Sequence, residues 1–346
     1  MNNWRVRPAC LQDLAQVHAL ACASPVGVTS LPDDATRLRR RLELSVASFT
    51  SEVAYPGEED YFFVLEDLDS GKLIGCAGVQ ATCGYRRPFY SFRHDTFVHA
   101  SSPLGISNKI HALSLCHDLS AFSVLNSFHV HADWLQGPAA QLLSRSRLLF
   151  VAAHAQRFSD RLIAEIVGYS DEQLRSPFWD GLGQHFYGIN YAEAQRLDAG
   201  SDRAFLAELL PHYPIYVPLL PDATQEVIGQ VHPQAQRPYD ILVKEGFDNE
   251  RYVDVYDAGP TLKAATRHIR SIRESCHTSL AIGALQQRGS QQWLVSNDQL
   301  ADYAATLVEI EWQPGQPIPL TASQADALGV AAGATVRVVQ VHKEPT

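Results

Sequence analysis

The stretch from Asn126 to His154 constrains this chain more than any other. Ser127-Phe128-His129-Val130-His131 reads as a strand and Ala132 to Gly137 as a loop, and Pro138 opens a helix running through Leu142, Leu143, Leu149, Phe150 and Ala153. The apolar positions recur at helical spacing, and proline is tolerated in a helix's first turn because its missing N–H would have no partner there. A glycine-containing turn between strand and helix aims free N–H groups and the positive end of the helix dipole at one point, which suits a phosphate or pyrophosphate. The same pattern also serves as a plain structural crossover, so on its own it leaves both readings open.

The flanking sequence supplies a sheet for that unit. Trp4 to Ala9 reads as a strand, followed by a helix from Leu11 whose apolar face carries Leu14, Val17, Leu20 and Ala21. Asp33 or Asp34 is placed to cap a second helix through Leu38, Leu42 and Val46. Tyr61–Glu66 and Lys72–Val79 flank the turn residues Asp67 to Gly71, a hairpin signal, and are expected in the middle of an antiparallel sheet. Thr96–His99 and the strand 127–131 are expected to extend it. Further on, Ile163–Gly168 reads as a strand and Ser176–Trp179 as the start of a short helix. A helix over Tyr239–Lys244 should stop at Gly246, before a strand over Tyr252–Tyr256.

Residues 261–346 read as a separate, mainly β unit behind a first domain spanning 1–260. Trp293–Val295, Ala305–Ile310 and Thr335–Val341 are its strands, and Thr321-Ala322-Ser323-Gln324 is a capping box for a helix stopped by Gly329. The tail resembles small β-barrel modules and carries no candidate catalytic cluster.

Composition excludes several functions. With 28 Lys+Arg against 38 Asp+Glu and a formal charge of −10, the chain lacks the basic balance of a nucleic-acid or membrane-surface binder. Arg37, Arg39, Arg40 and Arg41 form the one dense basic run and read as a solvated helix face. No apolar run reaches the length of a membrane span, and six cysteines without framework spacing read as free thiols of a reducing compartment, so a cytoplasmic protein is expected. His129 and His131 share a strand face as a metal pair would, but no Cys or carboxylate accompanies them at ligand spacing, and no metal is expected. Cys116 beside His117 and Asp118 reads as packing rather than a nucleophile. Arg93 could hold a substrate carboxylate as a bidentate fork or lie in a surface ion pair.

A wider set of stretches carries a resemblance. Gly27-Val28-Thr29-Ser30-Leu31-Pro32, Phe97-Val98-His99-Ala100-Ser101, Leu143-Ser144-Arg145-Ser146-Arg147, Ser176-Pro177-Phe178-Trp179, Ala207-Glu208-Leu209, His212-Tyr213-Pro214-Ile215-Tyr216, Ile228-Gly229-Gln230-Val231-His232-Pro233 and Gly259-Pro260-Thr261-Leu262 are spread over nearly the whole chain. Together they resemble the arginine N-succinyltransferase family of GNAT-like acyltransferases. Ser24-Pro25-Val26-Gly27, Cys116-His117-Asp118-Leu119 and Ile166 to Glu172 look closest to its alpha-subunit branch.

The resemblance implies an α+β fold with a mixed, mostly antiparallel sheet flanked by helices. It implies transfer of succinyl from succinyl-CoA to the α-amine of arginine, or of ornithine, without a metal and alongside a homologous beta subunit. It places the proton donor on His232 and a succinyl-CoA contact on Phe128. Gly137, Ala139 and Ala140 fall where the coenzyme's pyrophosphate would lie, with Arg145, Arg147 and Arg157 as candidate cations. Gln136-Gly137-Pro138-Ala139-Ala140 departs from the glycine-rich loop usual in this fold, because Pro138 removes one N–H and Ala140 adds a methyl. Val124 stands where the family carries an acid. A catalytic alpha subunit and a non-catalytic partner that stabilises an active beta subunit both remain open.

Overall fold

The computed structural model describes residues 3–24, 27–86, 88–198, 208–249, 251–283 and 291–341. Pro25, Val26 and Ala207, which carry parts of the resemblance, lie outside the described residues. Fifteen strands are present among them: β1 Trp4–Pro8, β2 Asp60–Asp67, β3 Lys72–Gln80, β4 Ser91–Ser101, β5 Ile106–Cys116, β6 Ser123–Val130, β7 Arg161–Glu165, β8 Ile215–Tyr216, β9 Tyr252–Val253, β10 Thr261–Ala265, β11 Cys276–Ile282, β12 Gln292–Ser296, β13 Ala305–Glu309, β14 Ile318–Leu320 and β15 Thr335–Val341. Helices α1 (Leu14–Ala23), α2 (Ala35–Thr50), α3 (Ala132–Leu135) and α4 (Pro138–Ala153) pack around the first of these.

Eleven strands form one sheet in the order β10-β7-β6-β3-β2-β1-β13-β12-β15-β11-β14. The hairpin of β2 and β3 lies in its first half, as its sequence suggests, with Gly71 in the left-handed conformation the turn needs (φ 66°). Tyr61 to Leu65 are all buried because both faces of this half are covered. Phe62, Val64 and Cys76 pack with Val17, Leu38 and Leu42 of α1 and α2. Tyr61, Phe63, Leu65 and Ala77 face the other way, onto Leu142, Leu149 and Phe150 of α4. Asp34 caps α2 by accepting from the N–H groups of Thr36 (2.8 Å) and Arg37 (3.0 Å).

Helix α4 is the hub of the molecule. Every residue from Ala139 to Val151 is buried, so the helix has no solvent face. Pro138 occupies its first turn as the sequence indicates.

Two expectations need correction. Thr96–His99 does not extend the main sheet: it belongs to β4, in a second sheet of order β8-β5-β4-β9. Both neighbours of β6 are already taken by β3 and β7, so β4 folds back on β5 and packs Phe92 against Phe178, Trp179 and Tyr256. The tail forms no closed barrel among the described residues. It extends the main sheet, through a pairing of β1 with β13 (Val6 opposite Ala305). Its capping box at Thr321 and Gln324 and the left-handed Gly329 (φ 62°) are present.

Candidate active site

Strands β6 and β7 are parallel, joined through α4, and paired only at their starts, Ser123 with Leu162 and Val124 with Ile163. Beyond Val124 the two diverge, and the edge of β6 away from β3 has no described strand beside it. A cavity of about 620 Å³ opens at this wedge. Asn126 to His131 line one side, and Ala164 to Val167 the other. The loop residues Gly27 to Ser30 and His232 line it as well.

A bulge re-aims β6 at this point. Asn126 pairs with Gly78 and His129 with Cys76, which leaves Ser127 and Phe128 opposite Ala77 alone. Ser127 adopts φ 53°, a strained conformation for a residue with a side chain, and is held there from outside the strand. Its N–H donates to Ser30 Oγ (3.0 Å) and its hydroxyl to the Ser30 carbonyl (2.8 Å). The Gly27 to Pro32 stretch therefore braces the bulge, a role that its sequence did not announce.

Two arginines support the bulge from opposite helices. Arg41 of α2 pairs with Asp60 (2.6 Å) and donates to Asn126 Oδ1 (2.7 Å) and to Ser127 Oγ. It is not part of a solvated face. It sits one turn beyond the buried Leu38 and beside Ser45, at the edge of the helix's inner stripe. Arg147 of α4 donates to the carbonyls of Gly78 (3.2 Å), Asn126 (3.4 Å) and Ser144 (3.3 Å), and its guanidinium lies 5.5 Å from the Phe128 ring centroid. Burial without an ion-pair partner among the described residues pushes Arg147 down to about 9.

His232 sits on the cavity wall, with its N–H bonded to the carbonyl of Val167 (2.9 Å). The Gln234 N–H donates to His232 Nδ1 (3.2 Å), which assigns the ring's proton to Nε2. Burial lowers its pKa below the ordinary 6.5, so the ring is neutral near pH 7. Phe128 lies on the same cavity, and the structure brings these two residues together.

The remaining candidates lie elsewhere or point elsewhere. Arg145 is fully buried and ion-paired to Glu245 (2.6 Å), which also binds Arg270 (2.6 Å), so its charge is spent inside the core rather than at the start of α4. Arg157 is likewise buried, donating to Tyr61 Oη (3.1 Å) and the Ser51 carbonyl (2.8 Å). Gly137 caps α4, and Ala139 and Ala140 have no exposed surface. Arg93 is held in the second sheet by Asp95 (2.9 Å) and Asp118 (2.8 Å), away from the cavity lining. Burial pushes the Cys116 thiol up, against a nucleophilic role. His129 lines the cavity with its ring pushed down to about 4 by burial and by His131, and the described residues assemble no group of three or more His, Cys, Asp or Glu around the pair.

Comparison with known proteins shows the family. A family profile described as arginine N-succinyltransferase beta subunit matches residues 4–271, and the profile of that family's C-terminal domain matches 277–340. The chain belongs to the arginine N-succinyltransferase family. It is 56% identical to arginine N-succinyltransferase subunit alpha of Pseudomonas aeruginosa, over 97% of this chain and 99% of that one. The subunit beta of the same organism is 39% identical over 98% of each chain. The arginine N-succinyltransferase of Yersinia enterocolitica is 37% identical over 99% of each. The solved structure of arginine/ornithine succinyltransferase subunit AI from P. aeruginosa superposes with a TM-score of 0.91 at 53% identity, covering 99% of this chain and all of that one.

Proposed function

We propose that this chain transfers the succinyl group of succinyl-CoA to the α-amine of L-arginine, the opening step of arginine breakdown, with ornithine as a second acceptor. The observation that carries this reading is the wedge between β6 and β7, open on one cavity with His232 and Phe128 on its walls. An extended amide chain such as pantetheine can lie along the unpaired edge of β6 as an added strand would. The bulge at Ser127 and Phe128 turns backbone groups out of the β3 ladder, toward the place where a thioester carbonyl would polarise.

The chemistry moves one proton. The neutral α-amine attacks the thioester carbonyl and forms the C–N bond. The tetrahedral intermediate collapses with cleavage of C–S, and the proton lost by nitrogen ends on sulfur. His232 Nε2–H gives its proton to the departing thiolate, and the same nitrogen, emptied by that transfer, then takes the proton that the attacking nitrogen loses. At the start of α4 the Gly137 N–H is bonded to the Trp134 carbonyl (3.1 Å), Pro138 has none, and Ala139 and Ala140 have no exposed surface, so this turn offers a pyrophosphate little.

A second reading, in which the chain works only beside a homologous beta subunit, draws support from that loss of an N–H at Pro138 and from relatives named as alpha and beta subunits. No helix among the described residues is long and apolar enough to cross a membrane. Thiol release from succinyl-CoA by the purified chain with arginine, then ornithine, tests both readings. Turnover by the chain alone, abolished in His232→Ala, supports the first. Activity that appears only with the beta subunit supports the second, and silence in both assays overturns the assignment.

A further inference from the structure

Arg147 is a buried cation without an anion. It is 2% exposed, yet it lines the cavity between β6 and β7. By contrast Arg41 meets the carboxylate of Asp60, and Arg145 and Arg270 meet that of Glu245. Arg157 also forms no ion pair among the described residues, but it lies outside the cavity lining. The acceptors around Arg147 are all neutral. Its Nε donates to the Ser144 carbonyl (3.3 Å), Nη1 to the Gly78 and Asn126 carbonyls (3.2 and 3.4 Å), and Nη2 to Ser144 Oγ (3.3 Å). These bonds are at or beyond the long end of the usual range, and one Nη2–H is left with no acceptor among the described residues.

No titratable neighbour supplies the missing charge. The group that works against the effect of burial on Arg147 is the Cys76 thiol, and burial pushes that thiol up to about 12, so it is neutral at pH 7. The guanidinium, even lowered to about 9, stays protonated there. A charge held away from water without a counter-charge is costly unless a ligand offsets it. The position of this one says which ligand. Asn126, whose carbonyl Arg147 holds, precedes the bulge pair Ser127 and Phe128, and the Phe128 ring centroid lies 5.5 Å from the guanidinium. A thioester carbonyl at the bulge therefore sets its acyl tail beside this cation. A tail ending in a carboxylate brings the anion and an acceptor for the free donor, whereas a tail ending in a methyl group brings neither.

We propose that Arg147 holds the distal carboxylate of the acyl donor and so selects a dicarboxylic acyl group over an aliphatic one of the same length. The assignment rests on the acyl-transfer reading for the placement of the thioester, but binding alone tests it. The probes are two thioethers of coenzyme A that cannot transfer their chains, S-(3-carboxypropyl)-CoA and S-butyl-CoA, which match in length and differ in the terminal carboxylate. Each is titrated calorimetrically into the full chain, beside coenzyme A itself. Wild type should bind the carboxypropyl thioether at least about tenfold more tightly than the butyl one, the low end for a close charge pair away from water. Arg147→Met and Arg147→Gln should bring the two to within about twofold, since no charge is left to pair.

The ratio between the two thioethers is the readout, because a loosened bulge would weaken both alike. Equal binding of the two by wild type overturns the proposal, as does a preference that survives undiminished in the neutral variants; if Arg147→Met fails to fold, Arg147→Gln decides. Failure of the acyl-transfer reading looks different. Coenzyme A and both thioethers bound without preference sink the subsite and leave transfer standing. A preference erased by the variants, with no thiol release from succinyl-CoA and arginine whether or not the beta subunit is added, sinks transfer and leaves the subsite. Binding of none of the three sinks both.

Discussion

Glu245→Gln should destabilise the protein strongly while leaving the cavity alone. Glu245 has no exposed side-chain surface and accepts from Arg145 Nε (2.6 Å), Arg270 Nη2 (2.6 Å) and the Ser271 N–H (2.7 Å). Burial alone would raise its carboxyl, but Arg145 and Arg270 outweigh that and hold it below the ordinary 4.5. A neutral amide keeps the shape, strands the buried Arg145 guanidinium without an anion and leaves Arg270 only the more exposed Glu274 (3.5 Å), which costs about 3–5 kcal/mol. At about 2.1 cal/mol/K per residue, the unfolding entropy of a chain this long is about 0.7 kcal/mol/K, so Tm should fall by about 4–7 °C.

The pH dependence has a definite sign. A carboxyl held below its unfolded value adds stability that is complete above about pH 4.5 and is lost as the pH falls through the folded value. The gap between wild type and variant should therefore be full at pH 7 and close only under acid. Thermal unfolding followed by circular dichroism at pH 7 and pH 4 measures both quantities. A variant that melts within a degree of wild type at pH 7 would refute the account of Arg145 as a core ion pair and return it to the coenzyme.

Three further outcomes follow from the same geometry. Because burial depresses His232, the acid limb of kcat should lie below pH 6.5 and be absent from the residual activity of His232→Asn; a limb centred above pH 7 that vanishes with the substitution contradicts the neutral ring. Arg147→Met removes the donor that holds the Gly78 and Asn126 carbonyls and should cost about 1–3 kcal/mol in urea unfolding, so wild-type stability would sink its bracing role. A Cβ on Gly168 would meet Asp257 O and Gly259 N at 2.5 Å, both backbone atoms, so Gly168→Ala should cost about 1–3 kcal/mol in thermal or urea unfolding; an unchanged melt would show that the turn at Asp257 yields.

Local patterns were readable where one element decides its own shape. The hairpin of β2 and β3, the Asp34 cap, the proline start of α4 and the Gly329 stop all follow from residues a few positions apart. Pairing between distant segments was not readable in the same way. Thr96–His99 reads correctly as a strand, but nothing within it says that β5 rather than β6 will be its neighbour. The tail's capping box is local, whereas the pairing of Val6 with Ala305 joins the two ends of the chain.

The site follows the same division. His232 and Phe128 entered through a resemblance, not through a local pattern. Arg145 looked like a free cation because Glu245, a hundred positions later, reads only as part of a helix stop. Arg41 alone left a usable signal, being spaced from Leu38 and Leu42 so as to border the inner face of α2.

Ala140 tests whether the altered loop impairs coenzyme binding. In the sequence its methyl stands where a glycine would let a phosphate approach. In the structure Ala140 has no exposed surface and packs in the core cluster with Leu142 and Leu143, so its methyl belongs to the core rather than to the surface a phosphate would approach. Ala140→Gly should leave the KM for succinyl-CoA within about twofold and cost about 1 kcal/mol, the ordinary penalty of glycine in a helix. A tenfold fall in that KM would mean that the methyl does crowd the phosphate, and that the weakness of this loop lies in its side chains. An unchanged KM leaves the missing N–H of Pro138 as the feature that separates this loop from a glycine-rich one, and a proline cannot recover that donor by any shift of its side chain.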